Sequence, residues 1–89
     1  MPSATHIDDR ARRVILELVE ERGTDKTICP SEAARVLAGD QDLRPFMELV
    51  REAAGALAAD GRVEVTQKGR PVTISEAHGP VRIGLPERP

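Results

Sequence analysis

The sequence predicts a mainly α domain with a small β-hairpin (α+β): a winged helix-turn-helix of three helices and a two- or three-stranded antiparallel wing. Three observations predict it. Apolar residues recur at helical spacing in three successive segments up to residue 59. From residue 62 the period switches to strict alternation. Two short helices joined by a tight turn precede the alternating part, which is the element order of a winged helix-turn-helix. A chain of 89 residues has room for one domain with one small core. That domain is taken as residues 1–89, with an ordered part from about residue 5 to 85 and frayed ends.

The first helix is expected over residues 8–22. Ala11, Val14, Ile15, Leu18 and Val19 fall on one stripe. Thr5 or Asp8 offers an oxygen to the first-turn N–H groups, and Gly23 ends the helix. Arg10, Arg12, Arg13, Glu17, Glu20 and Glu21 make its solvated outer face. Thr27-Ile28-Cys29 is long enough for a brief edge strand. Pro30 suits the first position of a second helix, where its missing N–H costs nothing. Glu32 favours the same end through the helix dipole. Ala33, Ala34, Val36 and Leu37 supply the buried face, and Gly39 closes it. With about two turns, this helix depends on tertiary packing.

Asp40-Gln41-Asp42 is a polar turn, and a third helix follows over residues 43–59. Asp42 is positioned to cap it, and Pro45 falls in the first turn, where proline is tolerated. Leu43, Met47, Val50, Ala54 and Leu57 make its main stripe, widened by Phe46, Leu49 and Ala53. Arg44, Glu48, Arg51, Glu52 and Gly55 face outward. Phe46 is the one aromatic side chain in the sequence. It is expected to wedge against the first two helices, and its removal to cost about 3–5 kcal/mol if fully buried. In the alternating part, Val63 and Val65 share a face against Glu64 and Thr66. Lys68-Gly69-Arg70-Pro71 and His78-Gly79-Pro80 are turn signals. Val72-Thr73-Ile74 between them is a third-strand candidate. Val81, Ile83 and Leu85 line one face of the last strand, and residues 86–89 read as a tail.

Three blocks of residues in this order resemble a known family. They are Thr27-Ile28-Cys29-Pro30-Ser31-Glu32-Ala33-Ala34-Arg35, then Val50-Arg51, Ala54, Leu57, Gly61 and Val65-Thr66-Gln67-Lys68-Gly69, then Gly79-Pro80-Val81-Arg82. The chain resembles domain-of-unknown-function family 3253, a small bacterial family, from about residue 8 to 85. The resemblance implies a winged-helix fold and carries no established activity and no site residues. Leu43 is a departure: the family is expected to carry Trp just before the third helix. A core or capping role at that position suits Leu as well.

Composition removes several functions. One cysteine forbids an internal disulfide and suits a reducing compartment. The absence of Trp and Tyr removes base-stacking platforms and methyl-lysine cages. Cys29 sits at a helix start, where the dipole can activate a thiol. No motif ties it to His6 or His78, so it reads as structural. A structural zinc site needs four ligands at close spacing, and one Cys with two distant His does not supply them. Asp8-Asp9 and Glu20-Glu21 read as solvated pairs. Gly69, Gly79 and Gly84 read as turn or bulge positions and not as a phosphate cradle. No enzyme activity, cofactor, metal or small-molecule substrate is expected. The opening residues are polar and lack the apolar run of a signal peptide. No stretch approaches the ~20 apolar residues of a membrane span. A cytoplasmic protein with no membrane partner is expected.

Two readings of function remain. Residues 61–89 carry five basic and three acidic side chains, net +2, against eight basic and twelve acidic in residues 1–60, net −4. A mildly basic hairpin on an acidic helical body suits weak duplex DNA binding or a transcription-associated role. The candidate contacts are Arg62, Lys68, Arg70 and Arg82 on the wing and Arg44 and Arg51 on the third helix. Against this, exposed hairpins carry Lys and Arg simply to discourage edge pairing, and Glu48 and Glu52 oppose approach of phosphates. The alternative is a protein-interaction or homodimerisation module, through the first helix, the hairpin edge or a basic partner on the acidic body.

Overall fold

A computed structural model describes residues 3–24 and 26–86, with side chains from residue 9 onward. Three helices, α1 (Ser3–Arg22), α2 (Pro30–Ala38) and α3 (Arg44–Ala59), pack against an antiparallel sheet of four short strands. The strands are β1 (Thr27–Ile28), β2 (Glu64–Gln67), β3 (Arg70–Pro71) and β4 (Arg82–Gly84). Their order across the sheet is β1-β4-β2-β3. The last strand thus enters between the first and second, an arrangement compatible with a winged helix. The Cα radius of gyration is 12.3 Å, the ~12 Å expected for one core of this length.

α1 begins five residues earlier than residue 8. Nothing from Ser3 to Arg22 breaks a helix, since the segment has no Gly or Pro. Thr5 and Asp8 therefore lie within the helical span and not before it. The helix stops where Gly23, at φ +94°, donates its N–H to the Val19 carbonyl at 3.1 Å. In α2, Val36 is 47% exposed while Ala33, Ala34 and Leu37 are buried. The helix is too short to bury more than a narrow stripe, and Val36 falls beside it. In α3, the Asp42 carboxylate accepts the Arg44 N–H at 3.1 Å, while Leu43 occupies the capping position itself. Leu43 is half-buried against the core. The tail at residues 87–89 lies outside the described residues, as do residues 1–2.

The wing has three strands, the third of them displaced from its expected place. Arg70–Pro71 pairs with Gln67 and Thr66, so the third strand precedes Val72-Thr73-Ile74 instead of containing it. Lys68 and Gly69 make the two-residue turn, at φ +53° and +80°. Two successive positive φ values are what a type I′ hairpin turn requires. Val72 still donates to the Val65 carbonyl at 2.9 Å, but the chain turns away at residues 74–76. Gly84 is neither a turn nor a bulge. It pairs with both Thr27 and Glu64. A Cβ there would stand 3.0 Å from Thr27 Cγ2 and 3.2 Å from the Lys26 carbonyl, so the close approach of β1 requires the missing side chain.

One row of side chains organises the interior. Ile28 on β1, Ile83 on β4 and Val65 on β2 stand opposite one another and are all buried. They meet Ala11, Ile15 and Val19 of α1, Ala33, Ala34 and Leu37 of α2, and Val50, Ala54 and Leu57 of α3. The fully buried set is entirely aliphatic. Phe46 and Leu18 are half-buried at its rim, contrary to the deep wedge and the central stripe expected of them. Phe46 lies in the first turn of α3, near the open end of the helical layer, where the packing does not close around a ring. Ile83→Ala is therefore expected to cost about 3–5 kcal/mol and Phe46→Ala about 1–2 kcal/mol. Urea unfolding of the two variants checks the order.

Candidate nucleic-acid interface

The hairpin turn presents its two cations outward because of its backbone. With Gln67 and Arg70 paired, Lys68 and Gly69 form the tip, and Lys68 and Arg70 are both exposed. Neither forms an ion pair among the described residues, and Arg62, exposed at the start of β2, forms none either. Lys68, Arg70, His78 and Arg82 border one shallow groove with Gln67 and Pro80. Of the six expected contacts, Lys68, Arg70 and Arg82 thus border one groove.

The other arginines have partners within the fold. Arg82 leaves β4 and reaches across the sheet to β1. Its Nε donates to Thr27 Oγ1 at 2.8 Å, and its terminal nitrogens donate to Cys29 Sγ at 2.7 Å and the Thr27 carbonyl at 3.1 Å. Its residue borders the groove, but its guanidinium faces the start of α2. Arg44 grips the Asp42 carboxylate with Nε and a terminal nitrogen at 2.8–3.1 Å. Arg51 is half-buried, and one terminal nitrogen donates to the Ile74 carbonyl at 3.2 Å and the Ala77 carbonyl at 3.3 Å. Gly55, also expected to face solvent, lies under Ile74. Residues 72–77 form a strap across the outer face of α3 at Arg51 and Gly55. Glu48 and Glu52 remain exposed along it.

The sequence pattern did not single out Gln67. Its side-chain nitrogen donates to the carbonyls of His78 and Pro80, joining the hairpin to the second turn. The signal was present: Gln67 is a polar residue in the inward row of Val63 and Val65, and a polar group there needs a partner.

A second polar cluster joins four elements on the far side. Glu32 accepts the Cys29 N–H at 2.9 Å, one half of a capping box for α2. Its other oxygen takes the Arg22 guanidinium at the end of α1. Arg22 also donates to the Thr27 carbonyl at 3.4 Å. Cys29 is the residue preceding α2, half-buried, with its sulfur accepting Arg82. The Glu32 carboxyl is held below its usual range chiefly by the Cys29 N–H, with Arg22 and then Arg82 acting in the same direction and burial opposing. Asp42 is likewise lowered, by the side-chain and backbone hydrogen bonds from Arg44. Among the described residues, no three His, Cys, Asp or Glu side chains gather as a metal ion needs. No helix among them is long and apolar enough to cross a membrane.

A family model described as a protein of unknown function (DUF3253) matches residues 8–86. No curated protein matches the chain.

A carboxylate lowered on folding stabilises the fold above its ordinary range, and that contribution is lost as pH falls through the folded value. Glu32→Gln is expected to unfold more readily than the parent at about pH 7. The gap should narrow at acid pH, as the pH falls through the lowered folded value and the carboxylate takes up its proton. Thermal unfolding of the pair at the two pH values measures it.

Proposed function

The chain belongs to the DUF3253 family, proteins of unknown function, and from its own geometry we propose a cytoplasmic, non-catalytic winged-helix module that binds duplex nucleic acid through the wing. The observation that carries the reading is the hairpin tip. Lys68 and Arg70 stand exposed, with no carboxylate paired to either among the described residues. Cations held this way displace counterions from a phosphate backbone, which drives sequence-independent association. His78 borders the same groove as the two tip cations. α3 does not read bases in this proposal: Arg44 is held by Asp42, Arg51 by the strap, and Glu48 and Glu52 repel phosphates. The absence of Trp and Tyr favours a duplex over a single strand, which is gripped by stacking.

A second reading, a protein-docking module, draws on one specific feature. Val36, 47% exposed, borders a shallow depression with the half-buried Leu18 and Leu43. Apolar surface of this kind also occurs singly on monomers, so it supports the second reading less than the tip supports the first.

Binding of a random duplex is expected at low salt and should weaken steeply between about 50 and 200 mM. Replacing both Lys68 and Arg70 by Ala should flatten the log–log salt slope by up to about 2. Fluorescence anisotropy on a labelled duplex reads both. No binding at the lower salt would remove the proposal in favour of protein docking.

A further inference from the structure

The strap from residue 72 to 77 connects the wing to α3, and Arg51 is the side chain that holds it there. Arg51 donates one terminal nitrogen to two carbonyls of the strap, those of Ile74 and Ala77. Ile74 is buried against α3 at Gly55, where a Cβ would stand 3.0 Å from Ile74 Cγ2. The helix thus provides a cation to clasp the strap and a missing side chain to seat it. Both ends of the strap lead directly into the hairpin. At the start, Val72 donates to the Val65 carbonyl of β2. At the end, Gln67 of β2 binds the carbonyls of His78 and Pro80. Hairpin, strap and second turn are therefore one closed loop, anchored to the helical body by the buried Val65 of β2 and Val63 just before it, and fastened to α3 a second time by the Arg51 clasp and the Gly55 seat.

We propose that Arg51 is a positioning residue: it latches residues 72–77 onto α3 and thereby sets the direction in which the Lys68–Arg70 tip points, without touching the ligand itself. The consequence for binding rests on the wing reading above, whereas the latch does not. A hairpin of two- and four-residue strands has little stiffness of its own. Holding its base in place beforehand lowers the ordering cost of binding. The sequence pattern, by contrast, offered Arg51 as a direct contact on α3.

Two variants and two readouts separate these roles. Arg51→Ala removes the clasp. Gly55→Leu removes the seat while leaving every charge in place. Amide hydrogen exchange on the protein alone should accelerate in both at Val72, Glu76 and Ala77, with the α1 and β4 amides unchanged. Duplex affinity at low salt should fall about three- to tenfold in both, with the salt slope of the parent retained. A slope lower by about 1 in Arg51→Ala would make Arg51 a phosphate contact and overturn the latch. Unchanged exchange in Arg51→Ala would overturn it as well, and so would a rise in affinity, which would mark the strap as a block over α3. If the parent protein binds no duplex, the wing reading falls while the exchange data still decide the latch. If Gly55→Leu does not fold, Arg51→Ala supplies both readouts.

Discussion

Everything in this domain rests on a row of three aliphatic side chains placed edge to edge across three strands. Ile28, Ile83 and Val65 come from segments far apart in the chain, and β-pairing alone brings them into register. Side chains alternate across a strand, so a slip of one residue would turn the whole row outward. The row is where the helical layer finds a floor. Without it, the apolar stripes of three short helices would enclose a core too small to offset the entropy of ordering the chain. With no large ring fully buried, burial comes from many small groups fitted closely. Such an interior tolerates few voids, because each lost methylene removes both transfer energy and contacts.

Polar groups then fasten the edges of this layered structure. At one side, Arg82 and Arg22 converge on the Thr27 carbonyl, while Glu32 links Arg22 to the backbone that opens α2. β1 is only two residues long, too short to hold its place by ladder hydrogen bonds, and these side chains supply what the ladder lacks. At the other side, Gln67 and Arg51 satisfy carbonyls of the loop that crosses the end of the sheet. In both places a long side chain serves backbone groups that no regular element reaches. Arg22, Arg51 and Arg82 have partners within the fold, whereas Lys68 and Arg70 at the hairpin have no ion pair among the described residues.

The helices were legible because their signals are local. Spacing of apolar residues, Pro30 at a first turn and Gly23 and Gly39 at ends all act within a few residues of the place they mark. The wing was legible as a hairpin from Lys68-Gly69, although the register moved the third strand to Arg70–Pro71. What could not be read was set by distant parts of the chain. Arg51 looks like any outward arginine on a helix until residues 72–77 fold over it, and Arg82 like any wing cation until β1 lies beside it. Val36 follows the apolar pattern yet lies beyond the reach of the neighbouring helices. Phe46 was expected at depth from its place on the apolar side of α3, and its position at the end of the helical layer leaves it half-covered. Of the six expected contacts, Lys68 stands exposed in the two-residue turn and Arg70 exposed on the strand that follows it.

The turn itself contains a conflict between stability and charge. Lys68 is the non-glycine residue with positive φ among the described residues, and a side chain in that conformation costs about 1 kcal/mol relative to glycine. The strain falls on an exposed cation in the hairpin turn. Asn or Gly would relax the turn and erase the charge, whereas moving the lysine one position along would place it on the second turn position, equally strained, and displace Gly69. A cation and the easiest backbone geometry are thus mutually exclusive at this turn position. An attempt to rigidify the wing by idealising its turn would make it a better hairpin and a less positive one.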